Sequence, residues 1–140
     1  MTQSLSQEQL LAAPESDYMN PAQIAFFKNL ILRLKADTQN QLQQRAIALR
    51  DGSNERLPDT ADSATLEEQR AMDMRMLKRD QAAMKEIEAA LGRIEEGEYG
   101  YCEELGSPIG IKRLLIAPTA QFCVDGQEMR ERRAQHQRVA

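Results

Sequence analysis

The sequence contains no tryptophan, and its other aromatic residues are limited to three tyrosines and three phenylalanines. So few large rings provide little material for the core of a sheet protein. Charged residues make up 29% of the chain, and leucine, methionine, glutamine and alanine are common among the rest. This composition is typical of long helices, so we expect a mainly α-helical protein.

Other absences narrow the class of protein further. The chain has no run of about 18 apolar residues, which predicts no membrane span. Its first residues, MTQSLSQEQLLAAPESD, lack the basic start and apolar core of a signal peptide. Two cysteines make no disulfide framework and suit a reducing compartment. The net charge of −4 argues against a general polyanion binder, and direct, sequence-specific DNA binding is not expected. We therefore expect a monomeric cytoplasmic protein.

Two long stretches have the signals of helices. Asn20 is a preferred N-cap, Pro21 suits the first helical position, and Gln23 completes a capping box. This first helix is predicted to run to about residue 50. The polar segment DGSNERLPD, residues 51–59, predicts a loop. A second helix is predicted over about 60–96, with Gly97 as its stop. Two long helices joined by a short loop favour an antiparallel hairpin.

Apolar spacing in both helices supports that hairpin. The two sets of residues recur at steps of three, four and three, as in the seam of a coiled coil. They are Ile24, Phe27, Ile31 and Leu34 in the first helix, and Met84, Ile87, Leu91 and Ile94 in the second. Paired in antiparallel order, every pair is centred on Asp59, which predicts the turn there. Beyond Leu34 the predicted pairs become polar: Thr38 with Asp80, and Arg45 with Asp73.

The last third differs in composition, because residues 98–126 hold four of the seven glycines and two of the five prolines. We interpret this stretch as a compact knuckle, followed by a helix capped by Asp125 with Glu128 at the box position. That helix is rich in arginine near its end. The predicted organisation is an N-terminal arm (1–18), a coiled-coil hairpin (19–97, tip near 51–64), and a knuckle with a C-terminal helix (98–140).

The two cysteines, Cys102 and Cys123, have the separation of two C-x-x-C pairs in a four-cysteine zinc site. Leu105 and Gly126 occupy the second position of each pair. A structural zinc ion needs four ligands, so these thiols are not expected to bind metal. The alternative interpretation is a small buried pair, with Leu105 filling the space of the metal. A reversibly oxidised thiol pair is a further alternative.

Residues from about 17 to 133 resemble the DksA family of RNA polymerase secondary-channel regulators. The similarity lies in YMNPAQIAFF, PDTADSAT, EYGYCEELGSPIGIKRL and APTAQFCVDG. Because two zinc-ligand cysteines are missing, the chain resembles the zinc-free paralogue of that family. The resemblance implies a coiled-coil hairpin on a small globular domain with a degenerate zinc-finger-like knuckle. It also implies a protein that is not an enzyme.

The resemblance implies a function as well. Family members insert the hairpin into the secondary channel, destabilise open complexes at ribosomal RNA promoters, and act with the stringent-response nucleotide ppGpp. The family's tip motif, Asp-x-x-Asp-x-Ala, falls on Asp59, Asp62 and Ala64. Paired carboxylates there would engage basic or metal-linked groups. The competing interpretation is that Asp59 only caps the second helix, with Asp62 as the acid at its third position.

Some positions depart from the family pattern. Glu86, Ala117 and Gln127 stand where basic residues hold ppGpp in other members. Those replacements do not neutralise phosphate, so a direct copy of the nucleotide site is not expected. Nearby cations that would compensate are Lys85, Lys112 and Arg113. Arg75 and Arg79 on the second helix are candidate contacts to the acidic rim of the channel, or else part of a solvated helix face. No cofactor is expected to be bound stably.

Three other functions fit parts of the sequence. A Gre-type transcript cleavage factor would share the acidic-tipped finger and use its carboxylates to recruit Mg²⁺. A zinc-knuckle DNA-binding protein is opposed by the missing ligands and the net acidity. A plain coiled-coil scaffold would need only the seam residues, so Asp59 and Asp62 would be dispensable.

Overall fold

The structure, a computed structural model, describes residues 5–52 and 60–139. Within these ranges the protein is mainly α-helical, as predicted, with two long helices packed as an antiparallel hairpin. The helices are α1 (Gln7–Ala12), a 3-10 helix (Glu15–Asp17), α2 (Pro21–Gly52), α3 (Thr60–Glu96), α4 (Ile111–Ile116) and α5 (Val124–Val139). Extended pairing in the described ranges is limited to one antiparallel bridge between Tyr101 and Pro108. No described helix is long and apolar enough to cross a membrane.

The start of α2 is fixed by side-chain caps. Asn20 Oδ1 accepts a hydrogen bond from the Gln23 backbone N–H at 2.9 Å, which confirms the predicted N-cap. The second bond of the capping box differs from the prediction. Gln23 Oε1 accepts from the Met19 N–H at 2.9 Å, because the Asn20 N–H already donates to the carbonyl of Asp17 at 2.9 Å. The preceding 3-10 helix therefore shifts the box by one residue.

The end of α3 is a glycine cap. Gly97 has a φ of +77°, its N–H donates to the Ile94 carbonyl at 3.2 Å, and the Glu98 N–H donates to the Arg93 carbonyl at 2.9 Å. This pair of bonds is a Schellman motif, and the left-handed conformation at its centre favours glycine. The predicted stop is confirmed.

The apolar seam is confirmed at its centre and wrong at one end. Phe27, Ile31 and Ile87 are almost completely buried. Leu34, which the spacing places in the seam, is 38% exposed. Thr38, one heptad after Ile31, is buried again. The stripe therefore keeps its heptad spacing, and Leu34 is the position within it that the facing helix leaves exposed.

The chain divides into two compact units, Met1–Leu32 with Glu88–Ala140, and Arg33–Ile87. The second unit has a polar interior. Thr38 and Asp80 are both buried, and Arg45 Nε donates to Asp80 Oδ2 at 2.7 Å. The predicted partner of Arg45 was Asp73, whose Oδ1 instead accepts from Gln69 at 3.2 Å. A long arginine side chain reaches either acid one heptad apart, and it pairs with the more buried one.

The first unit holds the apolar core. Its fully buried side chains include Leu10, Phe27, Tyr99 and Leu114. The rings of Phe27 and Tyr99 lie 5.8 Å apart between centroids, and α1 packs on α4. The Tyr99 hydroxyl donates to the Pro118 carbonyl at 2.7 Å, and burial raises the pKa of this phenol. The core therefore joins the base of α2 to the chain that follows α3.

Tyr18 connects the segment before α2 to the knuckle, residues 98–126. Its hydroxyl donates to the Gly100 carbonyl at 2.5 Å and accepts from the Gly110 N–H at 3.0 Å. Replacing Tyr18 with phenylalanine is expected to lower the free energy of unfolding by about 1–3 kcal/mol, because the Gly110 N–H loses this partner and the Gly100 carbonyl keeps only its bond from the Ile109 N–H. Urea denaturation measures this cost. The matched control is Tyr101→Phe, since Tyr101 is exposed, and equal costs for the two variants would contradict the assignment.

Candidate functional site: hairpin tip and cysteine knuckle

The predicted tip lies partly outside the described residues. Asp59 is one of the residues that the structure does not describe, and Asp62 is the third residue of α3, with its side chain also outside the description. Ala64, two residues further along α3, is exposed. An acid in the first turn of a helix is favoured by the helix dipole, so the position of Asp62 is compatible with both interpretations of its role.

The two candidate rim arginines are exposed on α3. Arg75 Nη2 lies 4.0 Å from Met72 Sδ, and Arg79 Nη1 lies 3.8 Å from Met76 Sδ. Contacts this long to a thioether hold a guanidinium only weakly. The positive charges of both arginines therefore remain on the surface of the helix.

Of the cations near the altered nucleotide positions, Arg113 has a structural role. Its Nε donates to the Phe122 carbonyl at 2.9 Å, which ties α4 to the segment before α5. Lys85 and Lys112 are exposed, as is Glu86. Gln127 Nε2 donates to Glu131 on the next turn of α5 at 3.1 Å. Arg113 thus has a structural bond to the segment before α5, which the sequence alone did not indicate.

The backbone around Cys102 forms a tight turn. The Cys102 N–H donates to the Ser107 carbonyl at 2.8 Å, and the Gly106 N–H returns a bond to the Cys102 carbonyl at 2.8 Å. Gly106 has a φ of +74°, a conformation that glycine adopts without strain. The Cys102 side chain is 3% exposed and that of Cys123 is half-buried.

Cys123 is the N-cap of α5. Its carbonyl accepts from the Gln127 N–H at 2.9 Å, and its Sγ accepts from the Gly126 N–H at 3.4 Å. The sequence predicted Asp125 as the cap, which is wrong because α5 begins at Val124 and Asp125 lies inside its first turn. The sulfur of Cys123 thus accepts the capping hydrogen bond that a serine or aspartate side chain commonly accepts at a helix N-terminus.

The Cys102 thiol has an altered acidity. Burial would raise its pKa, but hydrogen bonds from the backbones of Cys123 and Leu105 and from the Cys123 side chain together hold the pKa below its ordinary value. Such bonds favour the thiolate over the thiol. The two cysteines therefore interact directly with one another.

The residues present do not fit a structural zinc ion. A Cβ built at Gly126 would lie 2.5 Å from Cys102 Sγ, so that sulfur already takes the space of a side chain at position 126. Leu105 is 45% exposed and does not fill the centre of the knuckle, contrary to the prediction. Among the described residues, no group of three or more His, Cys, Asp and Glu side chains lies close enough to hold a metal ion.

The C-terminal helix is attached to the knuckle through two of its arginines. Arg133 forms an ion pair with Glu104, and the Arg130 guanidinium lies over the Phe122 ring, 4.3 Å from its centroid. Residues 131–138 are all exposed. Cation–π and ionic contacts rather than apolar burial therefore hold α5, and no sequence pattern indicated which arginines would take part.

Comparisons with known proteins match both parts of the chain. Residues 23–94 match the family described as DnaK suppressor protein DksA, N-terminal domain. Residues 97–132 match the prokaryotic dksA/traR C4-type zinc finger. The chain thus matches a four-cysteine family over a segment in which two of the four cysteines are absent.

Curated proteins and a solved structure agree with these matches. The RNA polymerase-binding transcription factor DksA of Caulobacter vibrioides is 38% identical over 119 residues, which cover 85% of this chain and 83% of the relative. The protein of the same name from Escherichia coli K12 is 32% identical over 118 residues, 84% of this chain and 78% of the relative. The structure of transcription factor DksA2 from Pseudomonas aeruginosa is 40% identical, with a TM-score of 0.82 over 93% of this chain and 98% of that one. The chain therefore belongs to the DksA family of transcription factors.

Proposed function

We propose that this protein binds RNA polymerase and inserts the tip of its hairpin into the secondary channel. Asp59, Asp62 and Ala64 would act near the active site, destabilise open promoter complexes at ribosomal RNA promoters, and serve the stringent response together with ppGpp. The observation that supports this most directly is the long helical hairpin with a polar interior beyond Leu34. Two related proteins that align over most of this chain are named as RNA polymerase-binding factors.

The polar distal unit suits a protrusion that enters a hydrated cavity. An apolar seam there would favour burial against another apolar surface, whereas here Thr38 and Asp80 are buried polar residues and Asp80 pairs with Arg45. The exposed charges of Arg75 and Arg79 would then meet acidic groups at the rim of the channel. The two helices are long enough to carry the tip into the channel, since each helical residue adds about 1.5 Å of length.

The protein would act by occupying the channel and would catalyse no reaction of its own. It would work as a monomer in the cytoplasm, without a membrane and without direct sequence-specific contact to DNA. Transcription from a ribosomal RNA promoter with purified polymerase, with and without ppGpp, tests this. The expected results are fewer transcripts, shorter-lived open complexes, and a further decrease with ppGpp. Strong Mg²⁺-dependent shortening of transcripts in backtracked complexes would instead support a Gre-type cleavage factor.

We also propose that the protein works without zinc, because Leu105 and Gly126 remove two ligands and Cys102 Sγ fills the space beside Gly126. The purified chain is expected to contain far less than one zinc per molecule, and a zinc chelator is expected to leave its Tm unchanged. Metal analysis measures the first and thermal unfolding the second. A four-cysteine family member is the positive control, and about one zinc per chain would prove the proposal wrong.

A further inference from the structure

Both cysteine sulfurs of the chain border the same small space at the start of α5. A Cβ at Gly126 would lie 2.5 Å from Cys102 Sγ and 3.6 Å from Cys123 Sγ. The two sulfur atoms therefore lie no farther apart than the sum of those distances. Because Gly126 has no Cβ, the Cys102 sulfur can lie in this space beside Cys123, and the conformation of Gly126 is an ordinary helical one.

We propose that Cys102 and Cys123 together bind one Cu(I) ion as two thiolate ligands. Soft monovalent copper prefers sulfur and is satisfied by two thiolates placed on opposite sides of it. A structural zinc ion needs four ligands in a tetrahedron. Loss of two cysteines therefore removes the zinc site and leaves a ligand set that suits a different class of metal. The expectation that the thiols bind no metal stays a prediction for zinc and is revised here for Cu(I).

Binding would exchange two S–H bonds for two Cu–S bonds. Both thiol protons are released to solvent, the copper stays Cu(I), and the two thiolates with the cation carry one net negative charge. The first turn of α5 offsets this charge, since the Gly126 N–H already donates to Cys123 Sγ at 3.4 Å and the helix dipole is positive at this end.

The surroundings give the ion access from one side. Cys123 is half-buried and its sulfur lies 3.6 Å from Ser107 Oγ, whereas Cys102 is buried. An ion would meet Cys123 first and then reach Cys102 with a small rotation of that side chain. The bound ion would connect the turn that holds Cys102 to the start of α5, and so raise the Tm of the protein by mass action.

The test is an anaerobic titration of the reduced full-length chain with Cu(I) in competition with a chromophoric Cu(I) chelator. One Cu(I) per chain is expected, and the bound ion should protect both cysteines from alkylation. Cys123→Ser is expected to weaken binding by more than about a hundredfold, since even outer-shell changes at metal sites cost about 10–100-fold. Serine is a preferred N-cap, so this variant retains the start of α5.

Two further variants separate the site from other sulfur atoms and from misfolding. Gly126→Ala keeps both thiols and suits a helix, but its Cβ would displace Cys102 Sγ, so Cu(I) affinity should fall by about tenfold or more. The double variant Met72→Leu with Met74→Leu removes two exposed thioethers of α3 and should bind as the wild type does. Unchanged affinity in Cys123→Ser, or wild-type cysteines that stay open to alkylation in excess Cu(I), would overturn the proposal.

Discussion

Replacing Asp62 with asparagine is expected to abolish regulation of a ribosomal RNA promoter while binding to RNA polymerase is kept. Asparagine keeps the size of the side chain and removes its charge. Hydrogen bonds that involve a charged group are worth about 1.5–3 kcal/mol, so the effect on open-complex lifetime should fall by roughly tenfold to a hundredfold. The measurement is open-complex decay in the presence of saturating variant or wild-type protein.

The control for this variant addresses its capping role. Asp62 is the third residue of α3, so asparagine removes only its interaction with the helix dipole, about 0.3–1 kcal/mol, and Asp62→Asn should leave helicity and thermal stability close to those of the wild type. A plain coiled-coil scaffold predicts no change in regulation. Full regulation by the Asp62→Asn protein, with normal polymerase binding, would therefore refute the tip mechanism and favour a scaffold.

Replacing Phe27 with alanine is expected to lower the free energy of unfolding by about 3–5 kcal/mol. Phe27 is completely buried, and its ring packs against Tyr99 and Phe26, with centroids 5.8 Å and 5.4 Å away. The loss combines the transfer of the ring to water with the cavity that remains. Urea denaturation with circular dichroism measures it.

Leu34→Ala is the matched control for Phe27→Ala. Heptad spacing places both residues in the seam, but Leu34 is 38% exposed. The expected cost at Leu34 is about 1 kcal/mol or less, as for most partly exposed positions. A cost at Leu34 comparable to that at Phe27 would show that the regular seam of the sequence describes the protein better than the burial seen in the structure.

The ends of the long helices could be predicted because their signals are local. Asn20 and Gly97 each act on backbone groups within a few residues, so the sequence contains all the partners of these caps. The second bond of the box at Gln23 was misassigned because a 3-10 helix, which no pattern announced, had already used the Asn20 N–H. The start of α5 was misplaced for a similar reason, since Cys123 and Asp125 are rival caps two residues apart.

The packing of side chains could be predicted only in part. Periodicity predicted the seam correctly at Phe27, Ile31 and Ile87 but not at Leu34, because spacing along one helix does not show how well the facing helix covers each position. The pairing of Arg45 with Asp80 instead of Asp73 depends on which acid is buried, and that is a property of the packed hairpin. Residues distant in sequence meet at the knuckle, so the contact between Gly126 and Cys102 Sγ could not be predicted from either cysteine motif.

The central claim, insertion of the tip into the secondary channel, is tested most directly by crosslinking from Ala64. This residue is exposed and lies two positions after Asp62, so a photoreactive amino acid there reports the surroundings of the tip. The account predicts crosslinks to polymerase residues that line the secondary channel near the active site, and their loss when a Gre-type factor occupies the channel. Crosslinks only to the outer surface of polymerase, or crosslinks that a Gre-type factor does not displace, would contradict it.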